Sequence, residues 1–283
     1  MPPMRWVLMA SLVLSLGCQE TNDDGQARDG GTKDASAVEE PDLAVRPDTG
    51  TDAGSNVLDA GEARDMGDVP DGGAPLQPVG DLPEPLLGFS ATVLQDGRLL
   101  VAGGRGTATS AGETWLLDLA TLSFSSGPAL DPPRIGHSAN LLPDGRVLIA
   151  GGYVLAGGGL RDNTDSAVIF DPATDTFAAT DSMSEAQCCH QSIWLDAGPH
   201  AGKLLFVGGG RNSERVLALE VFDPVAESFE LIGSELPEIR DGAAIVKLND
   251  GRILIAGGAT QTGTANIRQD AYLYDPVSNA FAL

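Results

Sequence analysis

His137 and His190 stand at matching places, each eight residues before a turn glycine, Gly145 or Gly198. Imidazole is a common metal ligand and titrates near neutral pH, so two such residues on neighbouring strands raise the question of a metal. The pattern fixes no carboxylate beside them, and Phe89 and Ala243 hold the same place elsewhere in the chain. They therefore read as positions of a repeat, and no metal or other cofactor is expected. Cys188-Cys189, just before His190, is the oddest local feature. Adjacent cysteines can close an eight-membered vicinal disulfide, which strains the intervening peptide and is readily reduced. The other readings are buried thiols, or copper held together with His190, and the copper reading ranks last.

Arginine is the third chemical resource. Twelve Lys and Arg lie beyond residue 75, and seven of them, Arg105, Arg134, Arg161, Arg211, Arg215, Arg240 and Arg268, fall in segments between apolar runs. A guanidinium recognises carboxylate or sulfate with two parallel donors, which points to an acidic glycan. The competing reading is a rim of ion pairs with Glu113, Asp162, Asp165, Glu185, Glu214, Glu238, Asp241 and Asp270; such exposed pairs add little stability. Catalysis would need a nucleophile beside its base, or paired carboxylates, and no spacing here supplies either.

The elements that must position these residues recur. His137 to Gly152, HSANLLPDGRVLIAGG, reads as two short strands around a Pro143-Asp144-Gly145 turn, closed by a Gly-Gly pair. Gly-Gly pairs stand at 103–104, 151–152, 208–209 and 257–258, in steps of 48, 57 and 49. Asp-Gly-Arg turns at 96–98, 144–146 and 250–252 precede three of them, and a longer turn at 198–203 precedes the other. A second signature, Asp followed six residues later by Phe, falls at 118–124, 171–177, 223–229 and 275–281. Each copy reads as four short strands. In the third strand Trp115/Leu117, Val168/Phe170, Glu220/Phe222 and Tyr272/Tyr274 share one face. A four-stranded sheet cannot cover both its own faces, so the copies must stack around an axis, and these aromatics are packing residues.

The Gly-Gly pair, the aromatic before Asp-Pro and the aromatic opening the fourth strand resemble Kelch repeats, over residues 86–283. The Asp-Gly-Arg turns resemble the Kelch-like propeller domain of galactose oxidases. The resemblance implies an all-β fold, a Kelch-type β-propeller with four recognisable four-stranded blades. Kelch rings usually hold five to seven blades, so four copies point to an incomplete or truncated propeller; a four-bladed ring and an open arc are the alternatives. Leu76 to Gly80 matches Phe229 to Gly233, as an extra outer strand before the first copy would. The copper site of galactose oxidase cannot be assembled from Tyr153, Tyr272 and Tyr274, and fold likeness does not carry activity. Strand order puts the Asp-Gly-Arg and Asp-Pro turns on one plain face. Loops 105–113, 153–166, 210–216 and 259–270 lie on the other, with the seven arginines. Loops on a rigid scaffold carry function, so a ligand face is expected there, with Arg105, Arg134, Arg161, Arg211, Arg240, Arg268, His137 and His190 as its candidates.

The start of the chain is different. Trp6 to Leu16 is an apolar run of eleven residues after a basic start, too short to span a membrane. With Leu14-Ser15-Leu16-Gly17-Cys18 after it, it resembles a bacterial lipoprotein signal, which implies a diacylglycerol anchor on Cys18. Residues 19–72 hold fifteen Asp and Glu against four Lys and Arg, a net charge of −11 within the whole chain's −23. Such a segment cannot offset its ordering entropy and is expected to be disordered; its Asp-Gly triplets lack the spacing of a calcium loop. Three parts result: a lipoprotein-type signal over 1–18, a disordered acidic linker over 19–74 and the blades over 75–283. With no basic stripe to neutralise phosphates, nucleic acid is not an expected partner. The expected function is a propeller anchored in the cell envelope, at the outer membrane, that serves as a scaffold for a protein or glycan ligand. The alternative is a carbohydrate-active propeller enzyme of the epimerase or lyase type, using the arginine-bearing face.

Overall fold

The structure is a computed structural model that describes residues 81–105, 112–156, 160–211, 214–260 and 266–282. The expectations for the signal, Cys18, the acidic linker and the strand at 76–80 lie outside the described residues. Among the described residues no helix is long and apolar enough to cross a membrane.

Four four-stranded antiparallel sheets follow one another along the chain, each pairing its strands in sequence order. The first blade is Ser90–Val93, Arg98–Ala102, Thr114–Asp118 and Ser123–Ser126. The second is Ser138–Leu141, Val147–Ala150, Ala167–Asp171 and Thr176–Ala179. The third is Gln191–Trp194, Leu204–Val207, Ala218–Asp223 and Ser228–Glu235. The fourth is Ala244–Lys247, Ile253–Ala256, Ala271–Asp275 and Ala280–Ala282. These are β-propeller blades, and the four strands expected of each copy are present.

Every blade has an aromatic front and an aliphatic back, because side chains alternate across a strand. Val147, Ile149, Val168 and Phe170 of the second blade pack on Leu100, Ala102 and Leu116 of the first. Leu204, Phe206 and Phe222 of the third pack on Leu148, Ala150 and Ile169 of the second. Ile253, Ile255 and Tyr274 of the fourth pack on Leu205, Val207, Leu219 and Val221 of the third. The core is thus three successive interfaces between sheets.

The Gly-Gly pairs are explained by these interfaces. A Cβ on Gly103 would lie 2.5 Å from the Arg134 carbonyl oxygen and 2.6 Å from the His137 ring; on Gly151, 2.6 Å from the Gln187 carbonyl and 2.8 Å from the His190 ring. The first glycine of each of the first three pairs therefore makes room for the next blade. The second faces its own blade: a Cβ on Gly104 would meet Phe89, and one on Gly152 would meet His137. Both glycines of each pair have positive φ, where a side chain would add strain.

The plain face carries a second set of links between blades. In each Asp-Gly-Arg turn the arginine folds back on the aspartate, with Nε to carboxylate distances of 2.8, 2.7 and 2.8 Å at Arg98, Arg146 and Arg252. Arg98 then reaches Asp175 in the second blade at 2.9 Å, and Arg146 reaches Glu227 in the third at 2.7 Å. The expected 153–166 and 210–216 loops are in fact hairpins. Tyr153–Ala156 pairs with Leu160–Asn163 and with Arg134–Ile135, and Gly210–Arg211 pairs with Glu214–Arg215. Their lack of clean alternation hid them.

Candidate functional site

The first strands of the second and third blades are each introduced by a histidine that leans on the blade before it. His137 Nε2 shares a 2.8 Å hydrogen bond with Ser90 Oγ, and His190 Nε2 shares a 2.9 Å bond with Ser138 Oγ. Ser192 Oγ donates to Asn140 Oδ1 at 2.7 Å. Both imidazoles are buried. Burial lowers His137 to about 3, helped by the charge of Arg134, and lowers His190 to about 4. They are neutral at physiological pH and act as rivets between blades. Among the described residues no group of three His, Cys, Asp or Glu is arranged to hold a metal ion.

The arginines expected on the ligand face separate into two kinds. Arg134 is fully buried; it donates to the carbonyls of Gly151 at 3.2 Å and Ser166 at 2.7 Å, and to Ser166 Oγ at 2.8 Å. Burial lowers its pKa to about 10. Arg240 is 1% exposed and makes the matching bond to the Gly257 carbonyl at 3.2 Å. It also forks onto Asp270 at 2.9 and 2.8 Å and lies 4.5 Å from the centre of the Tyr272 ring. The hydrogen bonds to Arg240 hold the Asp270 carboxylate near 2. These two guanidiniums tie the end of the second strand to the start of the third and face no solvent, so they are scaffold.

Arg105 is exposed, and its backbone pairs with Leu87 in both directions, at 3.1 and 2.8 Å. Arg161 pairs with Leu155 and Arg211 with Glu214 in their hairpins; their side chains lie outside the described residues. Arg268 is 36% exposed and pairs with Glu238 at 2.5 Å and Asp270 at 3.5 Å. It borders a cleft of about 250 Å³ between the third and fourth blades, with Leu217, Pro237, Glu238, Ile239, Thr260 and Asn266. The ion-paired rim weighed from the sequence is present here, and the cleft opens inside it.

Three features had weak or no sequence signals. Ser138 directly follows His137, so a search for polar residues beside the histidines would have found it, whereas Ser90 follows Phe89 and is found only by aligning the copies. The cleft joins residues from four segments that no motif links. Glu220, taken from its alternation as a packing position, is a carboxyl only 3% exposed. Its Oε1 accepts the Ser184 N–H at 2.8 Å, and burial pushes its pKa up.

Cys188 is buried and Cys189 half-buried beside Ile135 and Tyr153, with their sulfurs 2.9 Å apart. The Cys188 N–H donates to the Gly210 carbonyl and the Gly210 N–H to the Cys188 carbonyl, both at 3.1 Å.

No protein-family model matches the chain, and no curated protein sequence matches it. Among solved structures, that of YjhT is similar, with a TM-score of 0.56 and 16% identity over 72% of this chain and 67% of that one. At that identity the likeness is one of fold, and the fold is that of a β-propeller.

Proposed function

We propose that the chain is an exported Kelch-like propeller, lipid-anchored through Cys18 to the bacterial outer membrane, that binds an acidic glycan on its loop face. The observation that carries the ligand half is the cleft beside Arg268. Its volume of about 250 Å³ suits a single sugar ring. Leu217, Pro237 and Ile239 offer apolar surface to the ring's C–H face, while Thr260, Asn266 and Glu238 offer partners for hydroxyls. Arg268, already paired with carboxylates at 2.5 and 3.5 Å, has the geometry to take one from a ligand. A protein ligand carrying an acidic side chain is the second use of the same surface. Binding is favoured over catalysis because both histidines are buried, neutral and bonded to serines. The anchor rests on the residues before Cys18 and on the acidic stretch that would carry the blades away from the membrane.

A panel of uronic acids and acidic oligosaccharides, titrated calorimetrically, tests the ligand. Binding to the wild type that weakens at least about tenfold in Arg268→Ala, a loss of about 1.4 kcal/mol, supports the site. No binding to any acidic saccharide sinks the glycan reading. The mass of the mature N-terminus tests the anchor: an unmodified start away from Cys18 removes it.

A further inference from the structure

One position recurs on the loop face of every blade, immediately before Phe89, His137, His190 and Ala243. Its φ is +70° at Gly88, +63° at Gly136, +61° at Cys189 and +64° at Gly242. Three blades place glycine in this left-handed slot, as its lack of a Cβ favours, and the third blade places a cysteine. Among the described residues, the other non-glycine residues with positive φ are Leu122, Asp175, Glu227 and Asn279. They occupy one turn position in all four blades and belong to the repeat. Cys189 is the residue that departs from its own repeat, and an outlier of that kind is grounds for a functional hypothesis.

What the departure gains is a second sulfur. Cys189 Sγ lies 2.9 Å from Cys188 Sγ, at a position where glycine gives the other three blades no side chain. The pair also sits at a junction. The Cys189 N–H donates to the Gly136 carbonyl at 3.0 Å, as Gly136 N–H does to Gly88 at 3.0 Å, so this position links three blades. The two-way pairing of Cys188 with Gly210 seats the hairpin that carries Arg211.

We propose that Cys188 and Cys189 are a redox pair that closes to a vicinal disulfide and so resets the seat of the Gly210–Arg211/Glu214–Arg215 hairpin. The oxidant is a low-molecular-weight disulfide. Cys189, the more exposed thiol, attacks as its thiolate; a mixed disulfide forms and one small thiol leaves. The Cys188 thiolate then attacks the Cys189 sulfur, the internal S–S bond forms and the second small thiol leaves. The two cysteine protons end on the two released thiols, the protein pair is oxidised by two electrons and the small disulfide is reduced by two. Closing the ring turns the peptide between the cysteines, and with it the Cys188 C=O that accepts from Gly210 and the Cys189 N–H that donates to Gly136.

The full chain is equilibrated with glutathione buffers of graded ratio, then alkylated and mapped by mass. The expected result is a Cys188–Cys189 peptide lighter by its two thiol hydrogens and unalkylated in oxidising buffer, restored by reduction. Amide exchange at Gly210 and its hairpin should change at least severalfold between the two forms. Cys189→Gly installs the residue that the other blades use; it should fold, match or exceed wild-type stability and lose the redox dependence of exchange. Full alkylation of both cysteines in excess oxidised glutathione overturns the proposal. So does a bond from either one to Cys18, or an oxidised pair with unchanged hairpin exchange.

Discussion

His190 in the third blade and Ser138 in the second share a buried hydrogen bond of 2.9 Å, on a ring whose other nitrogen, Nδ1, has no hydrogen-bond partner. His137 and Ser90 repeat the arrangement one blade earlier, at 2.8 Å. Burial disfavours the imidazolium in this joint, so the folded chain holds the ring neutral.

Acid should therefore open the joints. Burial holds His137 near 3 and His190 near 4 in the folded chain, while both titrate near 6.5 once unfolded. Below pH 6.5 the unfolded state binds more protons, so this contribution is complete above that pH and declines as pH falls toward the folded values. Each histidine costs about 1.4 kcal/mol per pH unit in that window, or about 3 kcal/mol for both at pH 5.5. Denaturant midpoints at pH 7.5 and 5.5 measure it; His190→Gln should roughly halve the slope. Equal midpoints in the wild type would refute the joint.

Glu220 titrates with the opposite sense. Burial pushes its pKa up, so its contribution is intact at low pH and is lost as pH rises through the folded value. Glu220→Gln keeps an acceptor for the Ser184 N–H. It should raise the melting temperature at pH 8 and leave it nearly unchanged at pH 4.5; a fall at pH 8 would show that the charge is needed.

The Gly-Gly pairs offer an internal control. A Cβ on Gly208 would collide with the Arg240 carbonyl, whereas one on Gly257 has its nearest neighbour 3.6 Å away. Both positions have positive φ, +71° and +66°. Gly257→Ala should cost about 1–2 kcal/mol for the backbone alone, and Gly208→Ala about 2 kcal/mol more for the clash. Matched denaturation curves decide, and equal costs would mean that the first glycine serves only its φ.

Arg134 and Arg105 differ as scaffold and surface. Removing Arg134 leaves the Gly151 and Ser166 carbonyls without their buried donor, so Arg134→Ala should cost about 3 kcal/mol or more. Arg105→Ala should stay within about 0.5 kcal/mol. A stable Arg134→Ala protein would return that residue to the ligand face.

Strands, blade count and faces were legible because each carries a repeated signal: Gly-Gly, Asp-Gly-Arg and Asp to Phe appear once per copy and constrain one another. The burial of Arg134 and Arg240 was not legible. An arginine between apolar runs reads as exposed, and only the fold shows carbonyls converging on it from positions seventeen residues onward. Glu220 was hidden for the converse reason, since alternation fixes the face of a side chain and says nothing of its chemistry. The left-handed slot at Cys189 was readable in principle from Gly88, Gly136 and Gly242, once the copies were aligned on the residue that follows.

The links between blades join the tail of one to the head of the next. His137 reaches back to Ser90, the Gly103 notch receives the backbone of Arg134, and Arg98 reaches forward to Asp175. Each unit thus has a head and a tail, and successive blades meet in the same sense. A gene that duplicated one such unit would have lengthened the row by repeating contacts it already made.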